Sequence, residues 1–154
     1  SAIEMHDAAM RCAPNADIFI GAAAVADYRP ESSAPEKLKK TAGENRVISL
    51  VQNPDIVAAV AALAQRPALV IGFAAETTEL IAHAREKRHR KGLDYIVAND
   101  VSDPETTFGS DQNAVHLISE HEAHYLPLAT KQVIAERIIS LVAHHLGSTS
   151  PTSG

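Results

Sequence analysis

The residues best suited to chemistry begin with Gly21-Ala22-Ala23-Ala24-Val25-Ala26-Asp27-Tyr28, followed by Lys37, Lys39 and Lys40. Tiny side chains, one acid and a lysine cluster at the end of an apolar run are what an α/β sheet places where it admits a ligand. Small residues let a ligand approach the backbone closely, and lysines neutralise phosphate oxygens. A nucleotide site is the first expectation. Lys87 and Lys91 stand four apart in a helical stretch, in line with Leu80 and Ala84. Spacing alone fits two readings of that pair: partners for the negative helix end, or cations that reach a polyanion from an inward-facing stripe.

Composition narrows the classes. The 154 residues are 45% hydrophobic and 21% charged, ordinary for one soluble globular domain with a real core. A net charge of -5 argues against general nucleic-acid or membrane-surface binding, although Arg85 to Lys91 is locally basic. No apolar run approaches a membrane span and the first residues lack a signal-peptide pattern, so a cytoplasmic location is expected. Cys12, the one cysteine, excludes an internal disulfide and is expected as a small buried side chain. The eight histidines have no metal-ligand spacing and are expected at the surface. No Gly-x-Gly-x-x-Gly or P-loop sequence is present, which disfavours a dinucleotide-dependent oxidoreductase.

These groups need elements to position them. Residues 2–13 predict an amphipathic helix ending before Pro14, and 17–23 a strand covered on both faces. Residues 27–45 hold Pro30, Pro35, Gly43 and three lysines and read as a flexible active-site flap, because compact domains seldom tolerate so long a loop without a functional reason. The β-branched content of 46–51 predicts a strand. Asn53-Pro54-Asp55 predicts a helix start with Asn53 as cap, the helix running to Gln65. A buried strand follows at 68–73, then a helix capped by Thr77 or Thr78 that runs to Lys91 and ends at Gly92, then a strand at 95–98 leading to Asn99-Asp100. Residues 114–119 and 124–128 predict a hairpin whose second strand Pro127 confines to an edge. Thr130 caps a last helix that Gly147 ends, and 147–154 is a disordered tail.

Apolar strands separated by helices imply parallel pairing with right-handed crossovers, so their C-terminal ends share one sheet edge. The expected fold is Rossmann-like, a three-layer α/β/α with a mainly parallel sheet plus a C-terminal hairpin. Gly21 to Asp27, Phe73 to Glu76, and Asn99 with Asp100 gather on that edge. Singly, each fits tight packing or a solvated loop start. Together, beside an overlong lysine-bearing loop, they favour a ligand crevice.

Seven segments carry a resemblance in order: Ala22 to Tyr28, Ala34-Pro-Glu-Lys-Leu-Lys-Lys40, Gln52-Asn-Pro-Asp-Ile56, Gly72-Phe-Ala-Ala-Glu-Thr77, Lys87 to Lys91, Ala98-Asn-Asp-Val101 and Phe108-Gly-Ser-Asp-Gln-Asn113. Over residues 1–146 the chain resembles phosphopantothenoylcysteine synthetase, in bacteria commonly the C-terminal part of a bifunctional coenzyme A biosynthesis protein. The resemblance implies a CTP-dependent ligase that joins 4′-phosphopantothenate to L-cysteine through an acyl-cytidylate and releases CMP and pyrophosphate. It implies that Gly21, Ala22, Ala23, Asp27, Pro54, Asp55, Ile56, Val57 and Phe73 line the nucleotide site. It implies that Lys37, Lys87 and Lys91 face the phosphates with Mg2+, whose protein ligands are unknown, and that Lys37 on the flap is the catalytic lysine.

The resemblance further implies a homodimer, with 46–51 and the 114–128 hairpin as interface candidates. It implies a phosphopantothenoylcysteine decarboxylase domain fused upstream in the parent protein, with FMN only if that domain is present. The family's N-terminal segment, which carries a strand, a glycine-rich phosphate turn and an asparagine-bearing loop, precedes the first helix read here. On that ground the chain is expected to be N-terminally truncated and catalytically incomplete alone. The competing expectation is a non-catalytic nucleotide-binding or dimerisation module.

Overall fold

The computed structural model describes residues 1–32, 36, 45, 47–76, 78–100 and 111–149, with the backbone alone at 100 and 147–149. Helix α1 spans Ala2–Cys12 and opens with a capping box in which Ser1 and Glu4 satisfy each other's backbone donors. A 3-10 turn, Ala13–Asn15, carries Pro14 and delivers the chain to strand β1, Ile18–Gly21. Strands β2 (Tyr28–Pro30) and β3 (Leu50–Gln52) pair with each other, and α2 (Ile56–Ala61) leads to β4 (Leu69–Glu76). Then come α3 (Leu80–Lys91), β5 (Tyr95–Asp100), β6 (Gln112–Ile118), β7 (Ala123–Thr130) and α4 (Lys131–Thr149).

The main sheet has five strands in the order β1-β4-β5-β6-β7. β1, β4 and β5 are parallel, with Gly21 opposite Gly72 and Phe73 opposite Val97, while β6 and β7 add antiparallel. Alternation along the strands sends Leu69, Ile71, Tyr95, Val97, Val115 and Leu117 to one face, where Ile134, Ile138 and Val142 of α4 cover them. Val70 packs with Val60 of α2 and Ala13 on the other face, and Ala74, Ile96 and Ala98 with Ala84 of α3. The architecture is the expected α/β one, a central parallel set flanked by helices, with the hairpin at one edge.

Several boundaries depart from the sequence reading. β1 is an edge strand of the described sheet and is only partly covered: Ile18 packs on one face and Phe19 on the other, while Ile20 is exposed. Strand β3 replaces the 46–51 strand: its partner β2 offers only three ladder positions, Ser49 O adds one bond from Glu31 N at 2.9 Å, and Val47 and Ile48 lie outside the ladder. Because β2 begins at Tyr28, the segment expected as a flap starts in regular structure. Residues 33–35, 37–44 and 46, including Lys37, Lys39 and Lys40, lie outside the described residues.

α2 ends at Ala61 and not at Gln65, because the chain turns early to enter β4. Thr78 does not cap α3; that position is Glu79, whose backbone takes the left-handed φ of 44°. Gly92, at φ 65°, ends α3 as expected, using the freedom that lacking a Cβ confers. Gly147 does not end α4, which runs to Thr149, so 147–149 is helical and not tail; a glycine weakens a helix without breaking it. Residues 150–154 lie outside the described residues. Cys12 is exposed, not buried, since α1 buries none of its residues fully.

Candidate functional site

At the C-terminal ends of β1 and β4, a cavity of about 240 Å³ opens between the 22–27 loop and the β3–α2 junction. It is lined by Gly21, Ala23 to Asp27, Gln52 to Val57, Phe73 and Lys91. Local chemistry explains why these segments meet. A Cβ on Gly21 would collide with Val57 Cγ2, so glycine is what lets α2 lie against the end of β1. A Cβ on the neighbouring Gly72 would stand 2.7 Å from Leu93 Cδ1, which makes this part of the sheet doubly dependent on glycine.

Asp55 and Lys91 bring charge to the rim. Asp55 is the N-cap of α2, its Oδ1 accepting from Ala58 N at 3.2 Å, while its Oδ2 lies 2.8 Å from Lys91 Nζ. Partial burial works against the charged form of Asp55. The hydrogen bonds from Lys91 and Ala58, with the charges of Lys91 and Arg90, outweigh it and hold the carboxyl below its usual value. The cap is therefore Asp55 and not Asn53. Asn53 instead donates Nδ2 to Ala26 O at 2.8 Å and accepts from Arg29 Nη1 at 3.1 Å.

One turn before Lys91, Lys87 Nζ donates to Glu76 Oε1 at 2.7 Å, at the end of β4. His83 Nδ1 lies 3.9 Å from the other Glu76 oxygen. Lys87 sits beside the cavity and is not part of its lining, and Ala22 also stands outside it. The remaining expected residues among those described come together there: Gly21, Ala23, Asp27, Pro54, Asp55, Ile56, Val57, Phe73 and Lys91. Lys37 lies outside the described residues.

Ala24 to Ala26 belong to the stretch Gly21 to Asp27 that the sequence placed at the crevice, although the resemblance did not single them out; Gln52 and Asn53 as lining residues, and Arg29 as their support, were missed. The signal for Asn53 was present in part. Two cap-competent residues flank Pro54, so one of the two side chains was free for another task.

Chemically, the lining combines a flat apolar group with mixed charge, Asp27 and Asp55 beside Lys91. Phe73 exposes 43% of its surface at the rim, and Lys91 supplies a cation. Among the described residues no group of three or more His, Cys, Asp or Glu is placed to hold a metal ion. Asp27 lines the cavity without an ion pair among the described residues. No helix among the described residues is long and apolar enough to cross a membrane.

Comparison with known proteins gives the following. Residues 1–146 match the model of the DNA/pantothenate metabolism flavoprotein C-terminal domain. The coenzyme A biosynthesis bifunctional protein CoaBC of Escherichia coli K12 is 48% identical over 141 residues, which span 90% of this chain and 35% of that protein. The Vibrio cholerae protein of the same name is 46% identical over 143 residues, 92% of this chain and 36% of that one. The chain thus spans about a third of the length of these relatives. Among solved structures, a C-terminal domain of CoaBC superposes with a TM-score of 0.75 at 32% identity, covering 96% of this chain and 64% of that one. A DNA/pantothenate metabolism flavoprotein from Streptococcus pneumoniae, at 22% identity and a TM-score of 0.68, shares the fold.

Proposed function

Because the chain belongs to the family of the DNA/pantothenate metabolism flavoprotein C-terminal domain, we propose that its cavity is the CTP site of a phosphopantothenate–cysteine ligase of coenzyme A biosynthesis. The observation that carries this reading is convergence: Gly21, Ala23 to Asp27, Pro54 to Val57, Phe73 and Lys91, distant in sequence, line one cavity at the sheet edge where such folds bind nucleotides. In the reaction, the carboxylate of 4′-phosphopantothenate attacks the α-phosphorus of CTP and expels pyrophosphate. The amine of L-cysteine then attacks the acyl carbon of the acyl-cytidylate and releases CMP.

This chain's residues bind and orient the nucleotide. The cavity is slightly smaller than the ~300 Å³ at which drug-sized ligand sites begin, so it holds part of the nucleotide while the rest extends over the rim. Phe73 gives a flat apolar contact to base or sugar. Lys91, and Lys87 one turn away, reach the phosphates by exchanging the carboxylates of Asp55 and Glu76 for phosphate oxygens, the carboxylates holding them near the site until the ligand arrives. Asp27 is the lining carboxylate not engaged by a lysine and would be the residue to hold Mg2+, which would supply charge neutralisation on the phosphates. Lys37 is assigned the transition-state contact on the α-phosphate. The α2 terminus contributes less than a free helix end would, since Asp55 already occupies the Ala58 amide.

A homodimer is part of the same reading. A two-stranded ribbon is marginal alone, and β2–β3 exposes Tyr28 and Leu50 with Ile48 beside them. A second copy covering them removes that apolar surface from water. The edge strand β7, with Tyr125 and Leu128 exposed, is the second interface candidate. A fused decarboxylase domain, where present, carries the FMN; nothing in the cavity is assigned to a flavin. A crystal structure with CTP and Mg2+ tests the assignment: phosphate oxygens about 3 Å from Lys91 Nζ are expected, and a nucleotide bound elsewhere contradicts it.

A further inference from the structure

Four of the six residues in the 22–27 loop, whose Ala23 to Asp27 form one cavity wall, are alanine, so the loop has little side-chain means of holding itself in place. Its described hydrogen bonds run to one residue. Asn53 N donates to Asp27 O at 2.7 Å, and Asn53 Nδ2 donates to Ala26 O at 2.8 Å. The other half of the same amide, Oδ1, accepts from Arg29 Nη1 at 3.1 Å, and that nitrogen also donates to Gln52 O at 2.8 Å. A guanidinium only donates, so it can face only the amide oxygen, which turns the amide nitrogen toward Ala26. Arg29 sits on β2 and Asn53 directly after β3, so the ribbon, the loop and the start of α2 are joined through these two side chains. Since Asp55 caps α2, the Asn53 side chain is not needed by the helix.

We propose that Asn53 is a positioning residue for the cavity: with its amide oriented by Arg29, it holds the 22–27 loop at a set distance from residues 54–57 and so sets the width of the slot between them. Its effect on ligand rests on the CTP assignment above; its effect on the loop needs no ligand. A merely structural staple would lower stability and leave nucleotide affinity of the folded protein unchanged. A positioning residue also changes the affinity of the protein that remains folded.

Asn53→Asp separates the two. It keeps size and the Arg29 contact but sets a carboxylate oxygen against Ala26 O, where two acceptors repel. On the whole chain without ligand, NMR order parameters of the Ala23 to Asp27 amides are expected to fall from about 0.85 to below about 0.6, with those of β4 unchanged. Calorimetry with Mg-CTP, run well below the melting temperature of the folded variant, is expected to show about a tenfold rise in Kd. Arg29→Met, which frees the amide to rotate, is expected to give the same changes severalfold weaker and stands in if Asn53→Asp does not fold. Unchanged order parameters in the folded variant overturn the proposal. A loosened loop with unchanged Kd overturns it too, leaving a structural staple. A wild-type protein that gives no heat with CTP overturns the functional reading instead, and the order parameters still decide whether Asn53 holds the loop.

Discussion

At the scale of single residues, the cavity's charge rests on ion pairs that do two jobs. Asp55 caps α2 with one oxygen and holds Lys91 with the other, so an acid-sensitive group sits where the ligand is expected. Its folded carboxyl lies below the ordinary 3.8, so its contribution is present above that value and is lost as pH falls through the lower folded one. Asp55→Asn keeps a competent cap and removes the charge. Thermal denaturation should therefore show the variant less stable than wild type at pH 7, and the gap should narrow below about pH 4. Replacing Glu76 by Gln should free Lys87 and lower its fixation without disturbing the cavity lining, seen as a change in Mg-CTP affinity of severalfold at most.

The difference between Asn53 and Asp55 also shows what could be read from residues alone. Both are good caps and Pro54 sits between them, so local chemistry allowed either. The choice fell to Asp55 because Asn53 has a partner 27 positions earlier in the chain, Ala26 O, which no local pattern reveals. The inward stripe of Leu80, Ala84, Lys87 and Lys91 was legible, and Ala84 is indeed fully buried. The carboxylates that hold the two lysines come from other elements and were not legible.

At the scale of elements, the approach of α2 to the end of β1 depends on Gly21. Gly21→Val must push against Val57, so urea denaturation should show a loss of about 1–3 kcal/mol, with Mg-CTP binding weakened as the two walls part. Element type and order followed the hydrophobic pattern: parallel strands with intervening helices, then a hairpin with Pro127 on its outer strand. Lengths did not follow. β3 is cut to three residues by its partner, and β4 and β5 extend past their apolar runs because each lends the other a ladder as far as Glu76 and Asp100. Pairing is a property of two segments, and a single segment's composition reports it poorly.

At the scale of the whole molecule, the exposed ribbon predicts association. Light scattering should find a dimer, and Ile48→Glu with Leu50→Glu should shift it to monomer while the main sheet stays folded; a monomeric wild type contradicts the proposed interface. The fold class and the sheet edge that carries the cavity were both legible, because crossover handedness places parallel strand ends together. The cavity's closure by the β2–β3 ribbon was not, because that contact links segments on either side of a long connection.

Whether this cavity binds CTP through Lys91 is decided by calorimetric titration of the whole chain with CTP and Mg2+. A saturable one-site heat is expected, with Kd raised at least about tenfold by Lys91→Ala and less by Lys87→Ala. No heat with the wild-type protein, or the same affinity in Lys91→Ala, would contradict the CTP assignment.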